Sequence, residues 1–179
     1  MIYKFRLISD EESRFKLEIE ADADDTFFNL RNAILEAAGY TKDQVDSFII
    51  CDEDWNKDKE VTLVDMGSDS DQDIWLMDET RLSDLIEDEG QKLMFEFDIL
   101  SNRGFFMEMK ELIPSKHLSQ PLCTRKSGTA PKQILDLDAF EPTSTKSATA
   151  VGIDDLGEDF YGSDKFNEDE LDASYNDVD

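Results

Sequence analysis

Cysteine is nearly missing from this chain: Cys51 and Cys123 are its two copies in 179 residues. They stand far apart and form no C-x-x-C pair, which excludes a disulfide framework and a thiolate zinc cluster. They are expected to stay reduced in a cytoplasmic protein. Histidine is scarcer still, with His117 the single one. One imidazole cannot supply a four-ligand zinc site by itself. It lies in a polar stretch beside Lys116 and Leu118, where a histidine is usually a solvated side chain rather than a catalytic base. The eight glycines are scattered and form neither GxGxxG nor GxxxxGK, so no phosphate-cradling loop is expected. No apolar run approaches the roughly 20 residues of a membrane helix. The opening Met1-Ile2-Tyr3-Lys4-Phe5-Arg6 alternates charge with apolar groups and lacks the hydrophobic stretch of a signal peptide. No cofactor and no membrane partner are expected.

Positive charge is also short. There are 18 basic residues against 44 acidic ones, for a formal charge of −26. Binding duplex DNA or RNA needs several phosphate-neutralising cations on one face. The densest basic group is Arg125-Lys126, so nucleic acid is excluded as a direct ligand. Self-repulsion on this scale favours a soluble monomer.

What is present is patterning. Phe27, Leu30, Ile34, Ala37 and Ala38 recur at three- and four-residue intervals and share one helical face. Asn29, Arg31, Asn32 and Glu36 fall elsewhere, toward solvent. Thr26 or Asp25 can cap the first turn, and Gly39 can end the helix in a left-handed conformation. Phe28 and Leu35 lie off the main stripe. Before this helix, Tyr3, Phe5 and Leu7 alternate with Lys4 and Arg6. Phe15, Leu17 and Ile19 alternate with Lys16, Glu18 and Glu20. The two runs predict a hairpin. Ser47 to Cys51 reads as a third strand. Residues 52–73 are acidic and irregular, with short strand signals at Val61–Val64 and at Asp73–Met77. Thr80 to Ile86 predicts a short helix capped at Asp78 or Thr80. Lys92 to Leu100 and Gly104 to Leu112 predict a closing hairpin. The order β-β-α-β-(short α)-β-β implies an α+β domain, a mixed sheet with its main helix on one face.

Composition changes near Pro114. Residues 1–113 are expected to form the compact α+β domain. Residues 114–152 read as a polar linker with a short apolar island at Ile134–Leu137. From Asp154 to Asp179 there are eleven acids and one lysine. Residues 153–179 therefore predict a flexible acidic tail, because too little apolar surface offsets about 1–2 kcal/mol of backbone entropy per residue.

Several local motifs resemble the plasmid pRiA4b ORF-3-like family, also met as a passenger protein of bacterial insertion elements. They are Ile2-Tyr3-Lys4-Phe5, Asp24-Asp25-Thr26-Phe27 through Leu30, Ala33-Ile34, Gly39-Tyr40, Phe48, Thr80 through Leu85, and Phe95-Glu96-Phe97-Asp98. The resemblance spans about residues 2–112 and implies the family's compact α+β fold. It implies no reaction, because the family has none established. The chain departs from the pattern at Ser13-Arg14-Phe15-Lys16, where the family often has Trp-Arg. It departs again at Ile99 through Arg103, in place of Gly-Asp and Trp. The family's histidine in the last strand has no counterpart.

Candidate residues are few. Asp98 follows an apolar alternating strand and is the best single carboxylate for a general acid; the competing role is to cap the hairpin turn. Asp69, Asp71 and Asp73 have the first three ligand spacings of an EF-hand. Ile74 then stands where glycine is needed and Thr80 where a bidentate glutamate is needed. Trp55 and Trp75 bracket the acidic loop as packing anchors or contact residues. Phe160, Tyr161 and Phe166 sit among the acids of the tail and could meet a partner. The leading expectation is a non-enzymatic cytoplasmic interaction protein whose partner has a basic surface. Two alternatives stand beside it: an acidic nucleic-acid mimic that occupies a basic DNA-binding partner, and a carboxylate-dependent hydrolase built on Asp98.

Overall fold

Large apolar residues alternating with charged ones make Ile2–Ile8 the strand β1 and Lys16–Asp22 the strand β2. They pair antiparallel, Phe5 opposite Ile19 and Leu7 opposite Leu17. These side chains are fully buried, so the alternation divides a core face from a solvent face. A computed structural model describes residues 1–65, 67 and 73–136 of the chain. The described residues belong to one unit, Met1–Asp136. The expectations placed on 137–179, with the tail residues Phe160, Tyr161 and Phe166, and on Asp69 and Asp71, lie outside the described residues.

The remaining elements are α1 (Phe27–Ala38), β3 (Ser47–Cys51), β4 (Lys57–Thr62), β5 (Trp75–Leu76), α2 (Leu82–Leu85), β6 (Lys92–Asp98), β7 (Arg103–Ile113) and β8 (Leu122–Ser127). They build an α+β fold on one eight-stranded sheet, ordered β5-β4-β3-β6-β7-β1-β2-β8. Neighbours pair antiparallel except β4 with β5, which are parallel. The first strand lies inside the sheet, between β7 and β2, while the last, β8, forms its edge.

Helix α1 starts and stops at the residues its sequence signals. Thr26 Oγ1 accepts the N–H of Asn29 at 3.3 Å, and Gly39 ends the helix at φ 76°. Phe27, Leu30 and Ile34 are fully buried against the sheet, with Phe27 5.3 Å from Phe48. Leu35 is buried too, while Phe28 stays exposed.

Arg31 corrects the reading of the helix as solvent-facing on its polar side: it is 2% exposed. Its Nε meets Asp46 Oδ1 at 2.5 Å, and its Nη2 donates to the carbonyls of Lys42 and Gln44 at 2.9 and 3.2 Å. The loop after Tyr40 folds over the helix and turns its carbonyls inward. A guanidinium with five donors can satisfy several such acceptors together.

Two further regions differ from the sequence expectation. Lys57–Thr62 is a strand although four of its six residues are charged, because β4 lies near the sheet margin and buries Val61 alone among its residues. The sheet also continues past residue 113. Leu122–Ser127 pairs with β2, Glu18 opposite Arg125 and Ile19 opposite Cys123, in a stretch read as linker. An edge strand exposes most of its side chains, so its sequence looks polar. The α2 start also moves, from Asp78 or Thr80 to Arg81, whose N–H is taken by the Asp84 carboxylate at 2.8 Å.

Gly128 closes β8 at φ 71°, and a Cβ there would lie 2.5 Å from the carbonyl oxygen of Arg14. Both the backbone sign and the clash act against any larger residue. Gly128→Ala should loosen β8 from β2. Hydrogen exchange should then quicken at Leu122–Ser127 while β1 amides keep their protection; unchanged β8 exchange would disprove this anchoring role.

Candidate functional site

The core residues of the sheet face α1, and the alternate residues form an open face. Strand register places one row across it: Glu60, Ile49, Met94, Phe106, Ile8 and Lys16, on β4, β3, β6, β7, β1 and β2. The four central members are apolar. Neighbouring strands are about 4.8 Å apart, so these side chains adjoin. The next row is Cys51, Lys92, Glu108, Arg6, Glu18 and Arg125. Its charges alternate in sign from Lys92 onward, which lets opposite charges neighbour one another across strands.

Trp55 sits over this face. The loop between β3 and β4 is closed by Asp52, whose carboxylate accepts the N–H groups of Asp54 and Asn56 at 2.9 and 2.8 Å and the Asn56 side-chain amide at 3.0 Å. The Asn56 amide, followed by these N–H groups, holds the Asp52 carboxyl below its usual range. The turn puts Trp55 at φ 67°, a left-handed backbone that a bulky residue seldom takes. Its indole meets Phe106 edge-on, with centroids 5.1 Å apart, and Lys92 Nζ lies 5.2 Å from the ring. Lys92 also donates to the Glu53 carbonyl. The indole remains 38% exposed.

At the margin of the row, Glu96 lies opposite Ser47 on β3. Burial pushes its carboxyl up, and the charge of Glu60 adds to this; Ser47 Oγ at 3.4 Å and Lys57 pull the other way. Burial likewise raises the Cys51 thiol, helped by Asp52 and Glu96. Neither group was singled out from sequence. Their environment comes from pairing between strands distant in the chain.

The other sequence candidates are dispersed. Trp75 pairs beside Val61 in β5 and packs against the core, as an anchor does. Asp98 accepts the N–H of Ser101 at 3.3 Å and lies 3.4 Å from Arg103 Nη1. That is the turn-capping geometry. Arg103 continues the network to Glu11 through two 2.9 Å bonds and to the Lys132 carbonyl at 2.6 Å. His117 is 76% exposed, with Nδ1 3.0 Å from Asp22 Oδ2. Asp22 also accepts the N–H groups of Asp24 and Leu118. Burial alone would raise the Asp22 carboxyl, but these bonds together hold it below its usual value. Asp98 and Asp22 belong to opposite ends of β7, near Arg103 and Ile113 respectively. The fold therefore does not unite Asp98 with His117. Asp73 is exposed, and among the described residues no three His, Cys, Asp or Glu side chains form a metal-holding group.

No match to this chain is found among curated proteins. A crystal structure of a protein of unknown function from Methanosarcina mazei Go1 matches with a TM-score of 0.58 at 16% identity. The match covers 73% of this chain and 71% of that one. At this identity the likeness speaks for the fold. The model of the family described as plasmid pRiA4b ORF-3-like protein matches residues 7–144, well beyond the end of the resemblance read from the sequence. The chain belongs to the plasmid pRiA4b ORF-3-like protein family.

Proposed function

We propose that this protein acts without catalysis, by binding another protein through the open face of its sheet with Trp55 as anchor. The observation that carries this reading is the indole itself: more than a third exposed, held by a left-handed turn, and braced by Phe106 and Lys92. Backbone strain at an exposed aromatic points to use of that aromatic. Tryptophan buries a large apolar area and is enriched at binding hot spots. Ile8 and Met94 extend the apolar surface beside Phe106. A net charge of −26 favours a partner with a basic surface. The cytoplasmic setting enters this proposal through the two isolated cysteines, and the accessory link to plasmid or mobile-element biology through the family alone.

Trp55→Ala should weaken partner retention by at least about tenfold, the scale of a lost hot-spot tryptophan. Quantitative affinity capture would compare wild type, Trp55→Ala and Phe28→Ala, with thermal melting to confirm equal folding. Phe28 is an exposed aromatic on α1 and serves as the control. If Trp55→Ala keeps every partner, the open face is not the binding surface.

A second reading rests on the net charge: the acidic surface fills the basic groove of a DNA-binding protein. Its mark would be affinity falling steeply with salt and competition by duplex DNA. Affinity independent of ionic strength would rule it out.

A further inference from the structure

Strand β8 ends the sheet, and among the described residues no strand lies on its outer side. A free edge presents backbone N–H and C=O groups that can pair with an added strand. This edge is also where the scarce positive charge gathers. Arg125 and Lys126 lie on β8 itself. Lys16 lies opposite Ser127, and the backbone of Arg14 touches Gly128. Arg6 is one strand further in, in the same row as Glu18 and Arg125. All five are exposed. Among the described residues, none of the five has a carboxylate within ion-pairing distance. In a chain of charge −26, the edge cations Arg14, Lys16, Arg125 and Lys126 outnumber the β2 carboxylates paired along β8, Glu18 and Glu20.

We propose that the β8 edge binds an extended acidic segment of a partner protein by strand addition. The backbone ladder supplies the attachment, and the cations select the sign of charge. Arg125 faces the open side of the sheet, in register with Glu18, and Lys126 faces the other side, in register with Leu17. Acidic residues on either face of an added strand therefore meet a cation. A basic strand meets repulsion from both. The bulge between Glu18 and Ile19 and the surface charges disfavour indiscriminate pairing of apolar edges. An acidic strand passes that filter. This surface lies at the opposite end of the strand order from β4 and β5, and it does not depend on Trp55.

The test uses the full chain and a short acetylated peptide alternating Glu with Val, alongside its Lys-Val counterpart. Hydrogen exchange at Leu122–Ser127 reports occupancy. The Glu-Val peptide should slow these amides in a saturable, salt-sensitive way, and the Lys-Val peptide should not. Charge reversal at both Arg125→Glu and Lys126→Glu should weaken the effect by about tenfold. The milder pair Arg125→Gln and Lys126→Gln gives the same direction if reversal disturbs folding. Trp55→Ala should leave it unchanged, which separates this surface from the open-face site. No protection by the Glu-Val peptide, or equal protection by both peptides, would overturn the proposal. So would protection that rises with protein concentration alone, since that identifies a second copy of this chain as the occupant.

Discussion

Arg31→Leu should lower unfolding stability by about 3–5 kcal/mol, the cost of leaving one partner of a buried ion pair uncompensated. Asp46 is 1% exposed and its Oδ2 already has no hydrogen-bond partner among the described residues. Arg31 supplies the 2.5 Å bond to the other oxygen. Without it, a carboxylate would stay buried beside the inward carbonyls of Lys42 and Gln44. The deficit should depend on pH in a defined direction. Burial pushes the Asp46 carboxyl above its usual value, while the hydrogen bond and charge of Arg31 oppose the rise. A raised folded-state value contributes stability that is full below the unfolded value, near 3.8, and is lost as pH rises through the folded value. Removing Arg31 removes the opposition and raises the folded value further. The deficit of Arg31→Leu should therefore be smallest in acid and grow toward neutral pH. Urea denaturation across that range measures it. The double variant Arg31→Met with Asp46→Leu should recover part of the loss, because an apolar pair avoids the desolvation of two charges while the carbonyls of Lys42 and Gln44 still lose their donor. A loss under about 1 kcal/mol for Arg31→Leu would mean that Asp46 reaches water by a small rearrangement.

Phe105→Ala should cost a comparable amount, about 3–5 kcal/mol. Phe105 is fully buried, with ring centroids 4.9 Å from Phe15, 4.9 Å from Phe97 and 5.8 Å from Tyr40. It joins residues from β6, β7 and the segments before β2 and after α1. Truncation opens a cavity and removes several aromatic contacts, each worth about 0.5–1.5 kcal/mol beyond its area. Phe106→Ala, one residue along, should cost far less, because its side chain lies on the open face against Trp55. Equilibrium unfolding of the two variants tests the register of β7 directly. A slip of one residue would exchange the two effects. Equal losses would contradict the assignment of faces.

The central strands were legible because each has one core side and one solvent side. Phe5 and Leu7, Leu17 and Ile19, Phe95 and Phe97 all read as alternation, and all are buried. The caps of α1 were legible because Thr26 and Gly39 act through their own backbone neighbourhood. Strand β8 gave no such signal, and β4 gave one only at its end, Val61 and Thr62. Each buries too little to force a period of two, and their pairing comes from neighbours far along the chain. Trp55 was visible as a candidate contact, but nothing in its surroundings in the chain names Phe106 as its support. The buried pair Arg31–Asp46 was invisible for the same reason. A helix wheel assigns a polar residue to solvent, whereas here a loop covers it.

The sequence by itself determined the local elements and the sign of the molecule. Periodicity, caps and composition require an α+β domain built around α1, with a strong negative charge. Tertiary structure alone decided the strand order, the parallel β4–β5 pair, the eighth strand, and the two surfaces centred on Trp55 and on Arg125 with Lys126. The physical reason is range. Backbone propensity and hydrophobic period act over a few residues, while an apolar row across four strands or a cluster of cations at an edge exists only once distant segments share a sheet.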